Sequence, residues 1–501
     1  MLSNYRGLHI VEAARNFRHE HKYQPSNAAK RIMKIALVTL VTLLLWNMPA
    51  EWYGIHNLTV IQQRVIAIFA FATLMWILEV VSSWATSVAV IVLMLLFCTD
   101  SGILPMVNEE EVGTLLSYKG VMATFADPVI MLFIGGFVLA IAATKTGLDA
   151  QLAKVLLKPF GTRSEMVLLG FLLVTGLFSM FVSNTATAAM MLTFLTPVFR
   201  QLPPEGKGRI ALALSIPVAA NLGGMGTPIG TPPNNIALKY LNDPEGLNMG
   251  LGFGQWMMFM FPLVILLLFI SWMILKKMFP FTQKTIVLNI DGEMKKGFHS
   301  NVVIVTFFVT IALWLTDRFT GINANTVAMI PFCIFALIGV INKRDLEQIN
   351  WSVIWMVAGG FALGYGLNKS GLAENAIESI PFDTFSPLLI LILGGAICYL
   401  LSNFISNSAT AALLMPILAI VCGAMGDKLD PIGGTPTVLI GVAIAASSAM
   451  ILPISTPPNA LAFSTNLVQQ KDMAKVGIIM GIISMVFGFS LVYLMGVMKV
   501  L

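Results

Sequence analysis

The chain has 501 residues, of which 57% are hydrophobic and 11% charged, with a mean hydropathy of +0.84 and a formal net charge of +5. A soluble protein carries about 25% charged residues, so this composition excludes an ordinary water-soluble domain and places the chain in a membrane. Its Lys and Arg sit in the N-terminal tail and in short loops between apolar runs, which fits a membrane protein and excludes a nucleic-acid-binding surface.

The chain opens with a basic tail, residues 1–34, which lacks the small-residue cleavage site of a secretory signal and reads as cytoplasmic. Ile10, Val11 and Phe17 alternate there with Arg and Lys, the pattern of an amphipathic interfacial helix. Apolar stretches then follow at Ile35 to Trp46, Val65 to Val81, Ala85 to Cys98, Pro128 to Ala143, Val167 to Val182 and Trp256 to Leu275. They continue at Val302 to Trp314, Thr326 to Ile341, Val353 to Leu367, Leu388 to Ile405, Val438 to Leu452 and Val476 to Val497. A full crossing takes about 20 residues, so several of these are short or interrupted.

The chain repeats itself. Gly135-Gly136-Phe137 followed by Lys145-Thr146-Gly147-Leu148 matches Gly359-Gly360-Phe361 followed by Lys369-Ser370-Gly371-Leu372. Ser183-Asn184-Thr185-Ala186-Thr187 matches Ser406-Asn407-Ser408-Ala409-Thr410, and Thr231-Pro232-Pro233-Asn234 matches Thr456-Pro457-Pro458-Asn459. Charge argues that the copies are inserted in opposite senses. Residues 145–163 carry Lys145, Lys154, Lys158 and Arg163 against Asp149, whereas residues 369–383 carry Lys369 against Glu374, Glu378 and Asp383. After the Ser-Asn motifs, Arg200, Lys207 and Arg209 follow in one copy and Asp427, Lys428 and Asp430 in the other. Two similar halves of opposite orientation are a mark of secondary transporters, whose site lies where the halves meet.

Each Ser-Asn motif separates two apolar helical runs and reads as the polar tip of a re-entrant hairpin, tolerated at membrane depth only under protein or water. Each Pro-Pro pair breaks a helix, because proline lacks the amide hydrogen and clashes with the preceding turn. Asn221-Leu222-Gly223-Gly224-Met225-Gly226-Thr227-Pro228 adds backbone that can approach an ion closely. Broken helices offer free amides to a carboxylate, and unwound carbonyls with Ser, Thr and Asn oxygens to a hard cation such as sodium. Within the four motifs there is no Lys or Arg, so an anionic substrate would be neutralised by amide dipoles and co-bound cations. A single such motif reads as an ordinary kink or cap. Two different motifs, each duplicated in register, read as a site.

Other residues carry less. Glu79 and Asp317 occur in similar contexts and read as structural helix ends rather than a proton relay. Lys145 and Lys369 read as snorkelling side chains. The histidines His9, His19, His21, His56 and His299 show no metal spacing, and Cys98, Cys333, Cys398 and Cys422 read as free thiols packed as small hydrophobes. The apolar runs lack the paired carboxylates or the HExxH and Ser/His/Asp patterns that an intramembrane enzyme needs, and a channel has no need of duplicated breaks.

From Pro128 to the C-terminus the four motifs, in this order, resemble the divalent anion:sodium symporter family of di- and tricarboxylate carriers. The resemblance implies an all-α polytopic membrane protein, a homodimer, and two inverted repeats that each carry a re-entrant hairpin and a broken helix, working as an elevator-type secondary transporter. The divisions it implies are a tail (1–34), scaffold helices (35–125), repeat 1 (126–245, tip 183–185, break 230–234), linking helices (246–350), repeat 2 (351–470, tip 406–408, break 455–459) and a C-terminal helix (471–501). It implies one sodium site at Ser179, Ser183, Asn184 and Gly230 and another at Ser402, Ile405, Asn407 and Ser455, with no other cofactor. Substrate contacts would come from Ser183, Asn184, Thr185, Thr231, Ser406, Asn407, Ser408, Thr456 and Pro457. The second tip departs from the family's usual Ser-Asn-Thr in having Ser408, which keeps the hydroxyl and loses a methyl, and Met450 stands where the family commonly has Phe. The implied activity is sodium-coupled import of C4-dicarboxylates across a bacterial inner membrane, with exchange of dicarboxylates or carriage of citrate or sulfate as alternatives.

Overall fold

The computed structural model describes residues 28–108, 112–243, 246–288, 294–379 and 385–499. Residues 1–27 of the basic tail, where the sequence suggests an interfacial helix, lie outside the described residues, as does Asp383. Among the described residues the regular elements are helices, with two isolated β-bridges, Thr99 to Leu116 and Arg163 to Thr285. Eight helices among the described residues are long and apolar enough to cross a membrane, and three shorter ones, Ser83–Phe97, Ala324–Ile338 and Gly434–Ser447, are also apolar.

The helices that precede the first copy are α1 (Ala28–Asn47), α2 (Val60–Ile77) and α3 (Ser83–Phe97). The first copy comprises α4 (Pro128–Thr146), α5 (Leu148–Leu157), α6 (Ser164–Phe181), α7 (Asn184–Gln201), α8 (Lys207–Gly224) and α9 (Pro232–Leu241). Three linking helices follow, α10 (Phe253–Met278), α11 (Phe298–Leu315) and α12 (Ala324–Ile338). The order then repeats as α13 (Trp351–Lys369), α14 (Leu372–Ser379), α15 (Pro387–Phe404), α16 (Asn407–Met425), α17 (Gly434–Ser447) and α18 (Pro457–Ser464), and α19 (Gln470–Val497) ends the chain.

The first duplicated motif is structural. Gly147 and Gly371 adopt the left-handed conformation, φ +77° and +75°, which stops α4 and α13 and starts the short helices α5 and α14. Gly135 and Gly359 mark close helix crossings: a Cβ on Gly135 would lie 2.2 Å from the Ala328 carbonyl oxygen of α12, and one on Gly359 2.4 Å from the Ser87 Cβ of α3. So α12 packs on α4 as α3 packs on α13. The same correspondence runs through the molecule. α6 packs on α8 and α10 as α15 packs on α17 and α19, and α11 packs on α12 as α2 packs on α3. The post-proline helices cross over, α9 seating against α16 and α17 while α18 seats against α7 and α8.

Apolar residues face outward as well as inward. On α15, Leu388, Leu389, Ile392, Leu393, Leu400 and Phe404 are exposed, as a helix whose solvent is lipid allows. Cys98, Cys398 and Cys422 are buried free thiols, whereas Cys333 is exposed on α12 and does not pack inside.

Lys145 does not snorkel. Its Nζ donates to Asp345 Oδ2 at 2.6 Å and to the Val340 carbonyl at 2.7 Å, a pairing across two hundred residues of chain that local sequence does not signal. Asp317 is structural, as its position at a helix end suggests. It is buried, and its Oδ2 accepts from the amides of Phe253 (2.6 Å) and Gly254 (3.4 Å) at the start of α10. Asp317→Ala is expected to destabilise the protein by about 1–2 kcal/mol, the worth of a charged cap, with a smaller loss in Asp317→Asn. Thermal unfolding in detergent reads this, and an unchanged Tm in Asp317→Ala would show that α10 does not depend on the cap.

Candidate functional site

At each Ser-Asn motif the chain leaves the helix for two residues only. Val182 and Ser183 have ψ of 149° and 139°, and Ile405 and Ser406 have ψ of 168° and 144°, before α7 and α16 resume at Asn184 and Asn407. Ser183 Oγ accepts from the Ala186 amide and Ser406 Oγ from the Ala409 amide, both at 3.2 Å. The two serines are therefore N-caps, and each helix opens with its first two amides, those of Asn184 and Thr185 and of Asn407 and Ser408, outside the helical hydrogen bonds. The tip helices start at the polar asparagines, because a cap and not hydrophobicity sets a helix start.

The first set of expected cation ligands is brought together. Ser179 Oγ lies 2.6 Å from Asn184 Oδ1 and donates to the Ala220 carbonyl at 2.7 Å. The space above Gly224 is bordered by the Asn184 amide and the Gly230 carbonyl oxygen, 2.9 Å and 3.2 Å from where a Cβ would stand. Ser183 Oγ, which caps α7, keeps a second lone pair.

In the second set, the Ser402 hydroxyl and Asn407 Oδ1 are buried with no hydrogen-bond partner. An orphaned buried acceptor costs about 1–3 kcal/mol, so such atoms are the ones a bound ion would satisfy. Ser455 Oγ donates to the Asn403 carbonyl at 2.9 Å and accepts from the Leu452 amide at 3.0 Å, which holds the second break against the end of α15 beside Ser402. Ile405 is buried, and its amide bonds the Leu401 carbonyl. Hydroxyl, amide and carbonyl oxygens without a carboxylate make a donor set for a hard cation of low charge.

At the breaks, Pro232 and Pro457 occupy the first helical position of α9 and α18, where a missing amide hydrogen is harmless. The asparagine two residues on holds the loop behind it. Asn234 Nδ2 turns its two hydrogens to the carbonyls of Gly224 (3.0 Å), Met225 (3.2 Å) and Thr227 (2.8 Å), one of them shared, and Asn459 Nδ2 donates to those of Met450 (2.8 Å) and Leu452 (3.0 Å). Thr227 Oγ1 hydrogen-bonds the Met180 carbonyl and accepts from the Gly230 amide, while Trp256 of α10 donates to the Met225 carbonyl at 3.1 Å. Thr231, Thr456 and Ser408 are buried, Thr185 is partly exposed and Pro457 is exposed.

Four residues outside the sequence-derived set belong to this region. Asn221 of α8 donates to Thr456 Oγ1 and Asn459 Oδ1 of the other copy, both at 3.2 Å. Asn403 anchors Ser455 and accepts from the Ile451 amide at 2.8 Å. Thr187 and Thr410, one turn beyond each tip, have buried hydroxyls with no partner. The repeated Ser-Asn-x-Ala-Thr spacing signals the threonines; nothing local signals Asn403. Beyond the first break, Lys239 is committed elsewhere, 2.8 Å from Asp127 and over the Phe361 ring at 3.5 Å.

The sequence pattern of the citrate transporter family (CitMHS) matches residues 73–433. A sodium-dependent dicarboxylate transporter SdcS of Staphylococcus saprophyticus is 30% identical over 465 residues, covering 86% of this chain and 85% of the relative. Its namesake in Staphylococcus aureus strain NCTC 8325 is 30% identical over 519 residues, covering 95% and 93%. Among solved structures, the Alcanivorax borkumensis YdaH transporter superposes with a TM-score of 0.52 at 12% identity, covering 83% of this chain and 98% of that one. Neisseria gonorrhoeae MtrF does so with a TM-score of 0.52 at 11% identity, covering 83% and 95%. The duplicated polar breaks thus lie in a multi-pass membrane transporter, and the chain belongs to the citrate-transporter family of divalent anion:sodium symporters.

Proposed function

We propose that this protein is a sodium-coupled symporter that imports C4-dicarboxylates such as succinate, malate and fumarate across the inner membrane. The observation that carries this reading is the pair of tips, where Ser179 and Asn184 in one copy and Ser402 and Asn407 in the other present neutral oxygens beside free helix N-termini. Cations at the oxygens and carboxylates at the amides neutralise one another, so neither charge is buried alone. The staphylococcal relatives, named as sodium-dependent dicarboxylate transporters, support sodium coupling and a dicarboxylate substrate.

The substrate lies between the tips, with Ser183, Asn184 and Thr185 on one side, Ser406, Asn407 and Ser408 on the other, and Thr231, Thr456 and Pro457 at the breaks. Sodium takes Ser179, Ser183, Asn184 and Gly230 at the first tip and Ser402, Ile405, Asn407 and Ser455 at the second. The pairwise correspondence of packing and the unequal loop charges support two inverted repeats with re-entrant hairpins, bounded as the motifs divide the chain, with the N-terminus in the cytoplasm. Movement of the tips and breaks as one body against the remaining helices, in a homodimer, is the elevator this arrangement fits.

The test is uptake of radiolabelled succinate into proteoliposomes with sodium or potassium outside. Saturable uptake that needs sodium is expected. Uptake that ignores sodium but needs internal substrate would instead establish a dicarboxylate exchanger. The family's description as citrate transporters favours a second reading, and competition by citrate that outweighs malate and fumarate would select it. Sulfate in the same competition reads out an inorganic-anion carrier.

A further inference from the structure

We propose that Asn221 is the positioning residue that makes the Thr456 hydroxyl a directed hydrogen-bond donor to a substrate carboxylate, an assignment that rests on the dicarboxylate reading above. The orientation of the Asn221 amide follows from its neighbour. Asn459 spends its NH2 group on the carbonyls of Met450 and Leu452, so it turns Oδ1 toward Asn221. Asn221 must meet that oxygen with an N–H, and its second N–H then goes to Thr456 Oγ1, each at 3.2 Å. Thr456 Oγ1 accepts a further bond from the Asn459 amide at 3.4 Å. A hydroxyl oxygen has two lone pairs, and both are taken. The proton of Thr456 therefore points away from Asn221 and Asn459, with donation as its remaining polar function. At the head of α18 the two prolines carry no amide hydrogen and the amides of Asn459 and Ala460 are spent on Thr456, so this hydroxyl is the donor that the helix start has left to offer an anion.

The first copy lacks this device. The register that sets Met225 on Met450 and Asn234 on Asn459 sets Asn221 on Ala446, and the Thr231 side chain accepts no bond from the first turn of α9. The two threonines beside the prolines are thus unequal, with Thr456 the oriented one. Asn221 also follows Ala220, whose carbonyl holds Ser179, so the same stretch of α8 supports the cation side of one copy and the carboxylate side of the other.

The test is a double-mutant cycle on sodium-driven succinate uptake at saturating sodium. Asn221→Leu, of similar volume but without a donor, is expected to raise KM about tenfold, the worth of one directed hydrogen bond to a charged group, while kcat changes less than about threefold. The same change is expected to add less than about twofold in a Thr456→Val background and the full effect in Thr456→Ser, which keeps the hydroxyl. A general packing role would move KM equally in both backgrounds, and that result overturns the assignment. Where Asn221→Leu does not fold, Asn221→Ala enters the same cycle. Absence of sodium-driven uptake in the wild type overturns the dicarboxylate reading and this assignment with it, whereas wild-type uptake with an unchanged KM in Asn221→Leu overturns the assignment alone.

Discussion

Sodium-driven succinate uptake by Asn407→Ala at limiting sodium is expected to fall about 30- to 100-fold, the loss of one buried oxygen acting on a charge. The reason is specific to this side chain. Asn407 Oδ1 is buried with no hydrogen-bond partner in the protein, so the loss of that oxygen takes away no bond of the fold. The variant should keep its Tm, require more sodium for half-maximal uptake and recover at high sodium. Asn184→Ala differs. Its side chain lies against Ser179 Oγ and fills the space above Gly224, so that variant is expected to lose both sodium affinity and thermal stability. Flux against external sodium, measured beside thermal unfolding, separates the two. If Asn407→Ala kept the wild-type sodium requirement, the second cation site would not lie at this tip.

Gly230→Ala should abolish transport and lower Tm. A Cβ there would stand 2.4 Å from the Gly224 carbonyl oxygen and 2.9 Å from its Cα, and backbone cannot yield as a flexible side chain can. Overpacking of this kind costs about 1–3 kcal/mol, and here it would also push the Gly230 carbonyl out of the first cation set. Gly423→Ala is the control. Its Cβ meets nothing within 4 Å and the residue lies inside α16, so the change is expected to leave uptake intact and to stabilise by about 0.4–1 kcal/mol through the unfolded chain. Wild-type uptake by Gly230→Ala would show that the contact between the two ends of the first break is not needed.

The composition of the chain settled that it lives in lipid, and the chemistry of single residues set where its helices stop. Proline without an amide hydrogen starts α9 and α18, glycine at positive φ ends α4, and Ser183 and Ser406 cap the helices after the tips. These effects act within a turn of helix, so they are legible in the order of residues, and their duplication pointed to the tips and breaks. What depends on groups far apart in the chain could not be read that way. The crossing of α9 onto the second copy and α18 onto the first, the pairing of Lys145 with Asp345, the hold of Asn403 on Ser455 and the bonds from Asn221 to Thr456 and Asn459 all arise from packing of distant segments. A buried amide must find its partners wherever the fold brings them. For that reason the sequence names the residues of the proposed site, while the tertiary structure alone shows which of their hydrogen bonds are already made and which buried atoms have none.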